Sequence, residues 1–203
     1  MDKVDYKKQL PHLYKASTKT IAEVTLDPMS YLMVDGHGSP QDQMFMDAIE
    51  TLYGMAYSLK FMLKAAPKPF DSVVMPMEML TWAEDWSAFP EKRYEEWHWT
   101  LMIMMPPRVD HAHFETARQQ LKTKKKPTLI DTCRLQTLHE GTCVQVMHVG
   151  PYDQVGSDIQ RLHTRIKELG GQLHGKHHEI YLSDPRRTAP EKLRTIVRAA
   201  YRT

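Results

Sequence analysis

The sequence predicts an α+β fold of two duplicated strand–helix–strand–strand modules, forming a pseudo-twofold pair of antiparallel sheets with a central ligand groove. Three observations predict it. Val74-Met75-Pro76-Met77-Glu78-Met79-Leu80-Thr81-Trp82 and Lys176-His177-His178-Glu179-Ile180-Tyr181-Leu182-Ser183-Asp184 each read as a strand with one carboxylate among apolar and aromatic neighbours. Upstream of each, Tyr31–Gly38 parallels Cys143–Gly150, and a segment with helical spacing follows both. Two copies of one unit place equivalent residues about an axis, so Glu78 and Glu179 are expected to face one groove.

Module one spans about residues 20–105. After a charged lead, Thr20–Thr25 and Met29–Asp35 alternate as strands, and Gly36-His37-Gly38 turns the chain. Ser39 is expected to cap a helix with Pro40 at its first position and Asp42 near the positive end of its dipole. Met44, Phe45, Ala48, Ile49, Leu52, Tyr53, Ala56, Leu59 and Leu63 recur at three- and four-residue steps and predict one wide buried face over Gln41–Leu63. Pro67 and Pro69 end that helix. Val73–Trp82 and Trp97–Met105 follow as strands, separated by the acidic, aromatic stretch Ala83–Glu96.

A connector occupies about residues 106–130, with an amphipathic helix over Val109–Lys122 and a solvated lysine-rich junction at Lys122–Pro127. Module two, about residues 131–203, opens on a hairpin of Arg134–His139 and Thr142–Val149 turning at Glu140-Gly141. Val155, Ile159, Leu162, Ile166 and Leu169 predict a helix that Gly170-Gly171 caps. His177–Leu182 and Arg194–Ala200 complete the module as strands. Alternation places Glu179 and Tyr181 on one face of the first of these and His178, Ile180 and Leu182 on the other, the apolar set lying under the helix. In module one Glu78, Leu80 and Trp82 share a face, so each carboxylate is expected to point away from the helix.

Lysine plus arginine number 27 and aspartate plus glutamate 25, a formal charge of +2 that gives no field for nucleic acid or an anionic membrane. The first residues lack the apolar core of a signal peptide and no later run is apolar enough to span a bilayer, so a cytoplasmic location is expected. In that reducing compartment Cys133 and Cys143 are expected as two buried thiols. His111-Ala112-His113 and His177-His178-Glu179 are weighed as metal ligands and set aside, because adjacent strand residues point apart and the first pair lacks further ligands. No phosphate loop or dinucleotide fingerprint is present. Neither a metal nor a cofactor is expected.

All four tryptophans, Trp82, Trp86, Trp97 and Trp99, lie in one stretch with Tyr94, and Tyr152 follows the Gly150-Pro151 turn. Core filling explains such residues equally well. A carboxylate beside Trp82, and Tyr181 beside Glu179, nevertheless suit a pocket for planar, hydrophobic or cationic molecules. A glutamate there acts either as a counter-ion or, desolvated, as a general acid or base. Glu179 and Glu78 are therefore the candidate catalytic residues, and Trp82, Trp97, Trp99, Tyr152, Tyr181 and His148 the candidate ligand-binding set, in a monomer or weak dimer.

Gly141–Asp153, His177–Arg187, Pro190–Thr195 and Trp97–Ile103 together resemble the GyrI-like small-molecule-binding family in its stand-alone form, in matching order and spacing over nearly the whole chain. The resemblance implies duplicated modules of the SHS2 type and a ligand groove where a glutamate among aromatics meets planar, often cationic ligands. By motif position that residue is Glu179, with Glu78 its counterpart. It further implies a detoxifying role, since some stand-alone members are hydrolases that open the strained ring of cyclopropanoid alkylators. Other relatives sense drugs without turning them over or inhibit gyrase as interaction proteins. The family's first-module strand commonly runs Pro-Leu-Glu-Gly-Leu-Trp-Trp, where this chain has Pro76-Met77-Glu78-Met79-Leu80-Thr81-Trp82.

Overall fold

The computed structural model describes residues 2–203 as a mixed α/β protein with antiparallel strand pairing. Along the chain run α1 (Tyr6–Gln9), α2 (Pro11–Tyr14), β1 (Ala22–Leu26), β2 (Met29–His37), α3 (Gln43–Ala65), β3 (Met77–Trp82), β4 (His98–Met104), α4 (His111–Lys124), β5 (Arg134–Leu138), β6 (Gly141–Val149), α5 (Gly156–Glu168), β7 (Gln172–Tyr181) and β8 (Arg194–Arg202). The chain forms two compact units: one holds the residues up to Tyr6, Met29–Met75 and Ala83–Leu138, the other Lys7–Pro28, Pro76–Trp82 and His139–Thr203. Among the described residues no helix is long and apolar enough to cross a membrane.

In the first unit β2 is flanked by β4 and β5. The helical periodicity of α3 buries Phe45, Ala48, Leu52, Met55, Ala56, Leu59 and Leu63, while β2 and β4 supply Tyr31–Val34 and Leu101–Met104 to the core. The expected start of α3 is corrected: Asp42 takes the N-cap position, and Pro40 precedes the helix instead of opening it. There the Asp42 carboxylate accepts from the Ser39 amide at 2.8 Å and fastens the turn that enters the helix.

The second unit orders its strands β1–β6–β8–β7–β3. α5 packs on it through Val155, Leu162 and Ile166, against Val144, Val146, Val197, Ala199 and Tyr201. The hairpin expected at Glu140-Gly141 does not form: β5 pairs with β2, whereas β6 pairs with β1 and β8. β1 and β3 precede β6 by many residues yet pair within its unit, so the compact units interleave in sequence. The charged lead holds two short helices that sequence patterning passed over, and Leu13 and Tyr14 of α2 are buried.

Candidate functional site

Strand register assigns every side chain of the second unit to a face, because residues directly opposite in an antiparallel pair point the same way and neighbours along a strand point apart. Val146, Val197, Glu179 and Met79 form one row across β6, β8, β7 and β3. Val146 and Val197 touch α5, so Glu179 lies on the α5 face. His148, Thr195 and Tyr181 form a parallel row on that face, as do Val144, Ala199, His177 and Thr81. The rows between them, Met147–Ile196–Ile180–Glu78 and Gln145–Arg198–His178–Leu80, point to the opposite face.

Two expectations are corrected by this register. Glu78 and Glu179 point to opposite faces of the β3–β7 ladder, so they do not share a groove. Glu179 and Tyr181, expected on the side away from the helix, share the α5 face, and His178 and Ile180 take the other. β7 is buried on both sides from His177 to Ile180, and alternation alone cannot say which side a helix covers.

Glu179 is 6% exposed. Burial is the largest influence on its carboxyl and raises its pKa to about 7, against the opposing pull of the Tyr181 hydroxyl and of His148 and His178. Tyr181 donates to Glu179 Oε2 at 3.1 Å and lies 3.7 Å from the sulfur of Met79. Tyr152 meets the Tyr181 ring edge-on, with centroids 5.1 Å apart. His148 presents Nδ1 to Asp158 Oδ2 at 2.9 Å and Nε2 to the carbonyl of Pro151 at 3.1 Å, so both ring nitrogens face acceptors. Asp158 also accepts from Arg161 at 2.6 Å. The buried Thr195 hydroxyl, between His148 and Tyr181 in its row, has no hydrogen-bond partner among the described residues. Glu179, Tyr181, Tyr152 and His148 are thus brought together as a carboxyl held partly neutral at the edge of an aromatic pair, the setting in which a carboxylate serves as general base near neutral pH.

The opposite face carries a saturated ion network. His178, fully buried, presents Nε2 to Glu78 Oε2 and Nδ1 to Glu140 Oε2, each at 2.8 Å. Burial alone would lower its pKa; the two carboxylates outweigh burial and raise it to about 9. Burial acts on Glu140 in the raising direction, but His178 and Arg198 hold it below its usual value. Tyr14 donates to Glu78 Oε1 at 3.1 Å, while Arg198 reaches the Gln145 amide oxygen at 3.0 Å and the Leu13 carbonyl at 2.8 Å. Glu78 is therefore occupied by a cation and a phenol, 0% exposed, with no lone carboxylate left to activate water. Glu140, Arg198 and Tyr14 were missed in sequence; the one available signal was the apolar Leu13-Tyr14 pair inside the charged lead.

The remaining aromatics lie elsewhere. Trp82, at the end of β3, carries the Lys176 ammonium 3.1 Å above its ring centroid. Trp99 is 1% exposed and packs edge-on against Phe45 at 5.1 Å, so its expected ligand role is corrected to core filling. Gly36 is what admits it, since a Cβ there would fall inside the indole ring. Trp97 closes the 83–97 segment: its indole donates to the Ala88 carbonyl at 3.0 Å and its ring contacts Phe89 and Tyr94. Cys133 and Cys143 are free and buried, each thiol pushed up to about 12, foremost by burial.

Residues 19–200 match the GyrI-like small-molecule-binding domain family, and the chain belongs to it. A Listeria innocua protein described as uncharacterized and conserved is 33% identical and superposes with a TM-score of 0.90, over 98% of this chain and all of its own. A hydrolase from Listeria innocua is 31% identical, with a TM-score of 0.86 over the same shares. The C-terminal domain of EcmrR shares the fold alone, at 13% identity and a TM-score of 0.54 over 91% of this chain and 98% of that one. No functionally curated protein matches the sequence.

Proposed function

We propose that this protein binds a planar hydrophobic or cationic small molecule against Tyr152 and Tyr181 and hydrolyses it, with Glu179 as the general base. One observation carries the reading: a buried carboxyl with a pKa of about 7 stands beside two phenols on the α5 face of β7. Tyr181 occupies Oε2, and Oε1 bears no side-chain hydrogen bond among the described residues, which leaves Oε1 to take a proton from water. Similarity to the Listeria innocua hydrolase supports catalysis over simple binding.

The substrate class proposed is a cyclopropane-bearing alkylator, and the role is detoxification in the cytoplasm. A conjugated, strained ring offers an electrophilic carbon that needs no leaving group. Water attacks that carbon, its proton passes to Glu179 and a carbon–oxygen bond forms. The strained carbon–carbon bond breaks, and its electron pair moves into the conjugated system, which is then protonated. Tyr152 and Tyr181 hold the flat ring system while burial strengthens the local electrostatics. The order β2–α3–β3–β4 recurs as β6–α5–β7–β8, which supports descent of the fold from one duplicated unit.

The test is consumption of a spirocyclopropane dienone by the purified protein in ¹⁸O water. Expected are many turnovers per protein molecule and one labelled oxygen in the product. Glu179→Gln should keep binding and lower turnover by about a hundred- to ten-thousand-fold. Absence of turnover in the wild type would refute the enzymatic reading, and equal loss of binding and turnover in the variant would make Glu179 a counter-ion.

A further inference from the structure

We propose that His163 and His177 form a binding site for a borderline divalent transition metal, copper(II), nickel(II) or zinc(II), on the α5 face of β7. Their Nε2 atoms lie 3.0 Å apart, with ring centroids at 4.9 Å and planes inclined by 37°. Two metal–nitrogen bonds of about 2.0–2.1 Å span about 2.9 Å at a right angle and about 3.3 Å at the tetrahedral angle. The observed separation falls between these values, so one ion could bond both nitrogens with only a small rotation of either ring.

The frame that holds the pair is rigid. His163 sits on α5 directly after Leu162 and three residues before Ile166, both seated in the core of the second unit. His177 is buried on β7 opposite Ala199, whose small side chain leaves the imidazole room beside the helix. His163 is half-buried, which gives an ion a way in from solvent. His178 points to the opposite face of β7, and the second ligand comes from the helix packed on the face that carries His177.

The protonation chemistry favours the site. Burial lowers the pKa of both rings, that of His177 to about 4, so both are neutral at physiological pH and neither ligand needs to lose a net proton. In the metal-free pair one Nε2–H donates to the other Nε2. Metal uptake moves that proton to Nδ1 of the same ring. Among the described residues no group of three or more histidine, cysteine, aspartate or glutamate side chains is placed to hold an ion, so the other coordination positions fall to water or an exogenous ligand. That makes the site open, unlike a closed structural zinc site.

Copper(II) is the probe, added to the full chain and followed by calorimetry and by electron paramagnetic resonance. The expected result is an ion with hyperfine splitting from two nitrogens, whose affinity falls about tenfold or more in His163→Gln. The exposed cross-strand pair His37 and His98 of β2 and β4 supplies the control, and His37→Gln should leave that ion in place. His163→Gln perturbs a half-buried ring, and its fold is checked by circular dichroism. Wild-type-like copper affinity in His163→Gln, loss of the two-nitrogen signal in His37→Gln instead, or no copper uptake by the wild type would each overturn the site.

Discussion

Glu179→Gln should stabilise the protein, and by an amount that grows with pH. The carboxyl has a pKa raised from 4.5 to about 7 in the folded state, so the folded protein binds its proton more tightly than the unfolded chain does. A raised acid makes folding less favourable as pH climbs from the unfolded value through the folded one, after which the cost is constant. At 1.36 kcal/mol per unit, the shift of about 2.5 units amounts to about 3 kcal/mol above pH 8 and under about 1 kcal/mol at pH 5. Glutamine keeps the shape of the protonated acid and carries none of that cost. Urea unfolding at the two pH values should therefore show the variant gaining about 2 kcal/mol more at pH 8 than at pH 5, or roughly 4–8 °C in Tm for a chain of this size. Equal destabilisation at both pH values would refute the reasoning, because it would mean that Glu179 is ionised and held by a structural partner.

The ion network behaves in the opposite sense. His178→Gln leaves Glu78 buried without a cation and Glu140 with Arg198 alone, and should cost about 3–5 kcal/mol in urea unfolding. Because the folded pKa of His178 is raised to about 9, its contribution is complete below about pH 6.5 and is lost as pH rises through 9; a variant defect that does not shrink by pH 10 would exclude an imidazolium there. In the first unit, Trp99→Ala should cost about 3–5 kcal/mol while leaving ligand affinity of the folded protein unchanged. A selective loss of affinity would restore Trp99 to the binding surface.

Much of the fold was legible because long elements carry strong periodicity. α3 and the strands β2, β4, β6 and β8 emerge within a few residues of their ends. Pairing was not legible where it is non-local. Glu140-Gly141 between two alternating runs looks like a hairpin turn, yet the runs pair with β2, β1 and β8, and Glu140 becomes a buried ligand of His178. The site was half legible. Glu179, Tyr181 and Tyr152 meet and His148 stands in the same row as Tyr181, while the counter-ion and acid–base roles that the sequence leaves open for a glutamate among aromatics are not separated by pattern alone. Its face was inverted because β7 is covered on both sides, by α5 on one and by Tyr14 and the Arg198 network on the other, and nothing in the alternation of His177–Ile180 distinguishes those covers.

Glu78 and Glu179 occupy equivalent strand motifs, but their chemistry is set by what stands opposite them. On the Glu78 face, two carboxylates meet one imidazolium and one guanidinium, so the buried charges cancel and every partner is engaged by a hydrogen bond or ion pair. A charge-balanced network of this kind resists losing any member. On the α5 face the nearby cationic candidate, His148, is already committed to Asp158, and Glu179 keeps a single phenol. Burial then dominates, and the same residue type that is held below its usual value at Glu140 is lifted to about 7 at Glu179. Environments that push titratable groups apart in this way divide structural from acid–base roles. Part of that rise is opposed, first by the Tyr181 hydroxyl and then by His148 and by the His178 cation next in sequence, which draw the pKa back from the value burial alone would impose toward the range where a base can both accept and release a proton.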